Sequence, residues 1–290
     1  MKVSGFTIIR NAIKFDYPVV EAITSVLPLC DEFVVAVGKS EDQTLLLIQS
    51  IDSPKIKIIE TEWDDSLREG GRVLAIETDK AFQAISPDSD WCFYIQSDEV
   101  IHEQDYEAIR SAMKEHLNNK KVEGLVFNYL HFYGSYDYLG ASRKWYKQEV
   151  RILRNLKSIF SYRDAQGFRI DKNRKLNVKP VNASVYHYGW VKHPKFQQAK
   201  QESFHKMWHN DEWMENNVQR TSEFDYSQID SLKKFTGNHP LVMLERINKQ
   251  NWKFDFDLTK DNTPLKYKLL LILETLCGKD IGRYKNFRLL

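Results

Sequence analysis

The chain has 290 residues, of which 42% are hydrophobic, and this is enough for one large α/β domain with elaborations or for two smaller ones. Its 42 Lys and Arg residues are balanced by 40 Asp and Glu residues, and the net charge of +2 argues against a protein whose whole surface is adapted to nucleic acid. Three cysteines without metal-ligand spacing argue against a disulfide framework and fit a reducing compartment.

Five short runs of β-branched and aromatic residues predict strands in the first half of the chain, because such residues suit a pleated, half-buried surface. These runs span residues 6–10, 33–37, 56–60, 91–95 and 124–132. The amphipathic segments between them predict helices over residues 18–28, 42–51, 70–85 and 103–118. This alternation predicts an α/β fold with a mostly parallel central sheet and helices on both faces.

Polar residues follow each of the first four predicted strands. They lie at 10–11, 38–42, 60–65 and 96–99, and three of the four segments carry carboxylates. Ligands of open α/β sheets bind beyond the carboxyl ends of the strands, so this edge is predicted to form the binding site. The chain has no GxGxxG motif after its first strand and no GxxxxGK[ST] motif, which argues against a dinucleotide or P-loop site. Carboxylates in this setting indicate Mn²⁺ or Mg²⁺ bridging the protein and a diphosphate.

Three motifs in this order resemble the family 2 glycosyltransferases of the GT-A fold. They are FTIIRN, the segment PVVEAITSVLPLCDEFVVAVGKSEDQT with its Ser40-x-Asp42-x-Thr44 loop, and DWCFYIQSDEV, whose Asp98 matches the second aspartate of the DxD metal motif. The resemblance covers residues 4–195. It implies a Rossmann-like GT-A domain that transfers a sugar from a UDP- or GDP-sugar donor to a glycan or lipid-linked acceptor, with inversion and divalent-metal assistance. It further implies a place in bacterial cell-surface polysaccharide or lipopolysaccharide synthesis.

The resemblance also implies a set of site residues. Asp98 would bind the metal, with His187 as its partner, because a late His or Asp lies near the metal in this fold. A histidine with only a structural hydrogen bond is the alternative for His187. The residues expected to contact the nucleotide sugar are Ile9, Arg10, Asn11, Gly38, Ser40, Gln96 and Ser97, and Arg151 is added to them because of the basic stretch in which it lies.

Two positions depart from the family pattern. Gln96 stands where the leading aspartate of the metal motif is usual, and an amide keeps an acceptor oxygen but carries no charge. Some bacterial members resemble this chain in carrying Gln there. Val37 stands where the base-binding aspartate is usual, so the resemblance does not discriminate between UDP and GDP.

An inverting transferase needs a general base to accept the proton of the acceptor hydroxyl. Asp164 is the first candidate, in the stretch where related enzymes carry acidic residues, with a salt bridge to a nearby arginine as the structural alternative. Glu149 is the second candidate, and Glu99 is a distant third.

Residues 143–175 contain eleven Lys or Arg and three acidic residues. A solvated basic face is one interpretation, and contact of Arg151 or Arg154 with a diphosphate or an anionic acceptor is the other.

Residues 196–290 are predicted to form a helical extension that acts as a lid, as an acceptor-side element or as a membrane-surface contact. The apolar helix and basic tail from residue 265 either dock on the core or rest on an anionic membrane surface. No window approaches the ~18 apolar residues of a spanning helix, and the N-terminus has no signal-peptide pattern, so we expect a cytoplasmic protein that is at most peripheral on the inner face of the plasma membrane.

Two alternative functions share these features. A catalytically inactive GT-A-fold protein that binds nucleotides or sugars would carry the same motifs. A glycoside hydrolase would also use two carboxylates, but these must flank a cleft, whereas Asp98 and Glu99 point to opposite sides of an extended strand.

Overall fold

A computed structural model describes residues 1–218 and 221–290. The strands are β1 Val3–Ile9, β2 Glu32–Gly38, β3 Ile56–Thr61, β4 Trp91–Tyr94, β5 Glu99–Ile101, β6 Gly124–Tyr133, β7 Ser135–Gly140, β8 Gln148–Arg154, β9 Ile159–Tyr162, β10 Gly167–Ile170, β11 Arg174–Lys175, β12 Asn177–Trp190, β13 Leu232–Lys234 and β14 Arg288–Leu289. The α-helices are α1 Val19–Val26, α2 Thr44–Gln49, α3 Arg72–Gln83, α4 Tyr106–His116, α5 Pro194–Lys206, α6 Asp211–Asn217, α7 Leu244–Asn248 and α8 Leu265–Cys277. The expected α/β class with a sheet between helices is confirmed.

The central sheet has the order β13-β7-β6-β8-β4-β1-β2-β3. Strands β4, β1, β2 and β3 are parallel to one another, as the alternation of strands and helices predicts. Strand β8 then enters antiparallel between β4 and β6, and the long strand β12 runs parallel to β6. The parallel strands end together at one edge, which therefore collects the loops that the sequence predicts to form the site.

Side chains that alternate along the parallel strands fill two cores, one on each face of the sheet. In β2, Val35 and Val37 lie in one core with residues of α1 and α4, whereas Val34 and Ala36 lie in the other core with residues of α3. Because helices cover both faces of the sheet, the side chains on both sides of each strand are apolar. The predicted strands are therefore continuous apolar runs and not alternating ones.

The region after residue 195 also contributes to the sheet. Strand β13 pairs with β7 and β14 pairs with β12, so this region is not purely helical. The division of the chain at residue 195 stays a prediction.

Helix α8 is held to the rest of the molecule by ion pairs of Glu274, which is buried and lies against Arg143 and Arg283. Its apolar residues are largely exposed, with Leu265 at 72% and Leu276 at 77%. Membrane contact through this helix stays a prediction. Within the described ranges, every helix is too short or too polar to cross a lipid bilayer.

Candidate functional site

The loops after β1 and β2 are tied together by the side chains of the Ser-x-Asp-x-Thr motif. Asn11 has a φ of 57°, and its backbone N–H donates to Ser40 Oγ at 3.0 Å. Its side-chain Oδ1 accepts from the backbone N–H of Glu41 at 2.7 Å. Asp42 accepts from the backbone N–H of Lys14 at 2.7 Å. The motif therefore stabilises the shape of this edge of the sheet.

Arg10 and Gly38 both contact Trp63. The Arg10 guanidinium binds Asp65 at 2.5 and 3.0 Å and lies 5.6 Å from the centre of the Trp63 ring. A Cβ on Gly38 would meet Trp63 Nε1 at 2.3 Å, so only glycine allows the indole to lie this close to β2. Gly38 therefore shapes the site from beneath and does not line the cavity.

A cavity of about 1270 Å³ opens at this edge of the sheet. Eight of the residues that the sequence predicts for the site line it: Ile9, Arg10, Asn11, Gln96, Ser97, Asp98, Asp164 and His187. Four others do not: Gly38, Ser40, Glu149 and Arg151. The cavity thus brings the expected metal pair and the first candidate base into one space.

The short strand β5 explains how Asp98 and His187 meet across a large sequence separation. Strand β5 pairs antiparallel with β12, with Glu99 opposite His187, and the N–H of Tyr188 donates to the Asp98 carbonyl at 2.8 Å. A Cβ on Gly189 would lie 2.7 Å from Asp98 Oδ2 and 2.7 Å from His187 Cε1. A glycine at this position therefore permits the two side chains to approach.

Asp98 is buried and has two basic neighbours. Its Oδ1 lies 3.8 Å from His187 Nε2, and its Oδ2 accepts from Lys200 Nζ at 3.1 Å. Burial opposes ionisation of this carboxyl, but the nearby positive charge, chiefly that of Lys200, outweighs burial and lowers the pKa of Asp98 below its usual range. Asp98 is therefore a carboxylate at neutral pH.

A pair of histidines determines which nitrogen of His187 faces Asp98. His131 Nε2 lies 2.8 Å from the carbonyl of Tyr146, which can only accept, so this nitrogen carries the proton. Burial lowers the pKa of His131 to about 3, so its Nδ1 is unprotonated and accepts from His187 Nδ1 at 3.2 Å. Burial also lowers the pKa of His187, so its ring is neutral at pH 7 and presents a bare Nε2 toward Asp98.

These donors fit a divalent cation. A bare imidazole nitrogen and a carboxylate oxygen 3.8 Å apart are both metal ligands, and Mn²⁺ accepts both. Within residues 1–218 and 221–290, no cluster of three or more His, Cys, Asp or Glu side chains is placed to hold a metal ion. A metal held here would have Asp98 and His187 as protein ligands, and its remaining ligands would come from a bound molecule and water.

Asp164 lies on the turn between β9 and β10, which contacts the metal-motif loop. Gln96 Nε2 donates to the carbonyl of Ala165 at 3.2 Å, so the amide that replaces the expected aspartate links this turn to the end of β4. Burial raises the pKa of the Asp164 carboxyl, although Arg163 and Arg151 partly oppose the shift. A cavity-lining carboxylate with a raised pKa is a stronger proton acceptor than an ordinary aspartate.

The structure corrects the expectations for Arg151 and Glu149. Arg151 is fully buried beneath the cavity, and its Nε and Nη2 donate to the two Glu99 oxygens at 2.8 and 2.7 Å, so it is not available to a diphosphate. Glu149 is also buried outside the cavity, where its Oε1 accepts from Gln166 Nε2 at 3.1 Å. Burial raises the pKa of Glu149 to about 8, so this side chain is largely protonated at pH 7 and is not placed to act as a base.

Arg154 likewise does not reach the cavity. It is buried, and it lies 3.8 Å from the centre of the Trp91 ring while its Nε donates to the Val122 carbonyl at 3.1 Å. Neither of the two arginines considered for the diphosphate is therefore placed to contact it.

Sequence reasoning missed two lysines near Asp98, of which Lys200 lines the cavity. Lys200 lies on α5, and Lys192 lies between β12 and α5, where it is fully buried and donates to the carbonyls of Phe15 and Asp16 at 2.8 and 3.3 Å. No motif marks either lysine, because their position depends on how α5 packs across the end of the sheet. His131 was also missed. It lies in β6 directly beside His187 in β12, a pairing that only the folded sheet reveals.

No protein-family model matches the chain, and no curated protein matches it. The chain is similar to several solved structures. TarS 1–349 of S. aureus is 14% identical, with a TM-score of 0.40, 70% of this chain covered and 64% of that chain covered. Glucosyl-3-phosphoglycerate synthase of Mycobacterium tuberculosis, in complex with Mn²⁺, UDP and phosphoglyceric acid, is 15% identical, with a TM-score of 0.31 and coverages of 45% and 43%.

The third structure is 4-diphosphocytidyl-2C-methyl-D-erythritol synthase of Anaerococcus prevotii. It is 11% identical, with a TM-score of 0.38, and 66% of this chain and 89% of that chain are covered. The chain thus spans less than two thirds of the length of the first two structures.

Proposed function

We propose that this chain is a glycosyltransferase that moves a sugar from a nucleoside diphosphate sugar to an acceptor hydroxyl. The observation that carries the proposal is the approach of His187 Nε2 to within 3.8 Å of Asp98 Oδ1 at the carboxyl edge of the sheet, inside a cavity large enough for a sugar nucleotide. This arrangement agrees with the motif order in the sequence, in which the same aspartate belongs to the metal motif.

The donor in this proposal is a UDP- or GDP-sugar. Its nucleotide would lie over Ile9, Arg10 and Asn11 and beside the loop of Gln96 and Ser97, all of which line the cavity. Mn²⁺ or Mg²⁺ held by Asp98 and His187 would neutralise charge on the diphosphate leaving group.

Asp164 is the proposed general base. In an inverting transfer, the acceptor oxygen forms a bond to the anomeric carbon as the bond from that carbon to the diphosphate breaks. The leaving nucleoside diphosphate keeps the bonding electron pair, and the hydroxyl proton passes to the Asp164 carboxylate. The raised pKa and cavity-lining position of this residue support the role.

The acceptor is proposed to be a glycan or a lipid-linked sugar. Aromatic side chains along the cavity, among them Trp145, Trp190 and Tyr133, offer apolar faces against which a sugar ring can pack. A role in cell-surface polysaccharide or lipopolysaccharide synthesis belongs to the same proposal and rests on the sequence resemblance alone.

The test is a panel of UDP- and GDP-sugars with Mn²⁺, read by thermal shift for binding and by release of nucleoside diphosphate for turnover. We expect one donor to raise the melting temperature and to be consumed. Asp98→Ala should abolish turnover, whereas Asp255→Ala, which removes an exposed carboxylate on the C-terminal side, should leave it unchanged. If no sugar nucleotide binds, the proposal is wrong.

The two alternatives give different results in this test. A binding protein without activity would show the thermal shift but no release of nucleoside diphosphate. A glycoside hydrolase would cleave glycosides without any nucleotide, but it needs two carboxylates that flank a cleft. Glu99 is fully buried against Arg151, so the adjacent pair cannot supply both.

A further inference from the structure

The Asp98 carboxylate already forms an ion pair with the ammonium group of Lys200. Lys200 Nζ donates to Asp98 Oδ2 at 3.1 Å and to the Gly189 carbonyl at 2.9 Å. The two side chains are only 13% and 12% exposed, so solvent and salt screen this pair much less than a surface ion pair. The protein thus supplies its own counter-ion at the oxygen atoms that would bind a metal.

A second lysine lies near the same region. Nζ of the buried Lys192 lies 4.5 Å from the centre of the Tyr17 ring, and Nζ of Lys200 lies 5.0 Å from the same centre. Burial lowers the pKa of Lys192 well below its usual range, so the charge that faces Asp98 is chiefly that of Lys200. A divalent cation that entered alone would have to compete with the Lys200 ammonium for Asp98 in a medium of low dielectric constant.

The protein ligands for a metal are also few. Asp98 and His187 supply two donors, whereas Mg²⁺ and similar hard cations take about six ligands and bind largely through substrate phosphates and water. A diphosphate would supply the missing ligands through its oxygens, and its negative charge would offset the charge of Lys200.

We propose that Lys200 is an internal counter-ion of Asp98 that keeps divalent-cation binding weak until a nucleoside diphosphate enters with the metal. The diphosphate gives the ammonium a second anionic partner, so Asp98 becomes free to bind the metal as the nucleotide binds. Binding of the cation then strengthens binding of the nucleotide, and binding of the nucleotide strengthens binding of the cation by the same factor. This inference rests on the proposed function, since it requires a nucleoside diphosphate as the ligand of the cavity.

The experiment measures Mn²⁺ affinity directly. Mn²⁺ is titrated into the full chain with and without UDP or GDP, and free Mn²⁺ is read by electron paramagnetic resonance, corrected for Mn²⁺ bound by the nucleotide in solution. The variants are Lys200→Met, which keeps the side-chain length without the charge, and Lys200→Arg, which keeps the charge. Lys195→Met is the matched control, because it removes an exposed charge from the same helix. Thermal unfolding checks that each variant is folded.

Without nucleotide, we expect Lys200→Met to bind Mn²⁺ about tenfold more tightly than the wild type, a change within the usual range of coupling between sites. The tightening of Mn²⁺ binding by nucleotide should shrink correspondingly in this variant. Lys200→Arg and Lys195→Met should behave like the wild type. Equal Mn²⁺ affinity of Lys200→Met and the wild type without nucleotide, or nucleotide binding that is the same with and without Mn²⁺, would overturn the inference.

Failure of the inference differs from failure of the proposed function. If nucleotide binds with Mn²⁺ but Lys200→Met leaves the Mn²⁺ affinity unchanged, only the role of Lys200 is wrong. If neither UDP nor GDP binds under any condition, the proposed function is wrong, and the inference fails with it.

Discussion

At the scale of single residues, Asp98 and Glu99 are adjacent but have opposite surroundings. Alternation along the chain directs Asp98 into the cavity beside Lys200 and His187, and it directs Glu99 into the core. There Glu99 accepts from Tyr129 Oη at 2.7 Å and from Arg151 at two atoms. Glu99 therefore has a structural role, and only Asp98 is exposed to a ligand.

The pair formed by Glu99 and Arg151 predicts a large loss of stability when one partner is removed. Both side chains are fully buried, so Arg151→Met leaves an unpaired buried carboxylate, and we expect the free energy of unfolding to fall by about 3–5 kcal/mol. Denaturant titration monitored by circular dichroism measures the change.

The double variant Glu99→Gln/Arg151→Met is the control, because it removes both charges and should recover part of the loss. If the double variant loses as much free energy of unfolding as Arg151→Met, or more, the arginine acts through packing and not through its charge.

At the scale of elements, the site is formed by the contact between the end of β4 and the end of β12. The first part of this arrangement could be predicted, because strands β1–β4 and helices α1–α4 have long apolar runs and clear periodicity. Strand β5 has three residues and no pattern of its own, and its pairing with β12 depends on tertiary contacts. His187 was therefore found by resemblance, whereas its partners His131 and Lys200 could not be inferred from neighbouring residues.

The same limit applies to the basic stretch of residues 143–175. Its excess of charge is evident in the sequence, but the acidic partners lie elsewhere in the chain. Arg143 pairs with Glu274, Arg151 with Glu99, and Arg174 with Glu123. Several side chains of this basic cluster are thus paired with distant carboxylates, which no local sequence pattern reveals.

The contact between these elements predicts that Gly189→Ala weakens ligand binding. The added methyl would lie 2.7 Å from both Asp98 Oδ2 and His187 Cε1, so one of these side chains must move. We expect Mn²⁺-dependent affinity for the donor nucleotide to fall about tenfold, since displacement of one metal ligand removes a contact worth about 1.4 kcal/mol or more. Isothermal titration calorimetry measures the affinity.

Circular dichroism should show that Gly189→Ala keeps its secondary structure, because the substitution changes no strand hydrogen bond. Wild-type affinity in this variant would contradict the assignment of Asp98 and His187 as the metal ligands.

At the scale of the whole molecule, the stability of the fold depends on pH through buried carboxyl groups. Glu149 is the clearest case, because burial raises its pKa from 4.5 to about 8 in the folded protein. Between these two pH values the unfolded chain loses a proton that the folded chain keeps, so the free energy of unfolding falls as the pH rises. The contribution of the protonated group is complete below about pH 4.5 and is lost as the pH passes 8.

We therefore expect Glu149→Gln to make the protein more stable than the wild type at pH 8, with a smaller difference at pH 5. Chemical denaturation at the two pH values measures the difference, and Glu215→Gln, at an exposed position on α6, is the control for the loss of a surface charge. A difference between Glu149→Gln and the wild type that does not change with pH would contradict the raised pKa.

The joining of β14 to β12 has a consequence for the order in which the molecule folds. Near it, the carbonyl of Asn286 accepts from Arg169 of β10 across 117 residues of sequence. Contacts at such separation form slowly, because a long loop must close before they are made, whereas neighbouring strand and helix units in the first half of the chain form locally. We therefore expect the packing of the C-terminal segment against the β9–β10 hairpin, which carries Asp164, to form late in refolding.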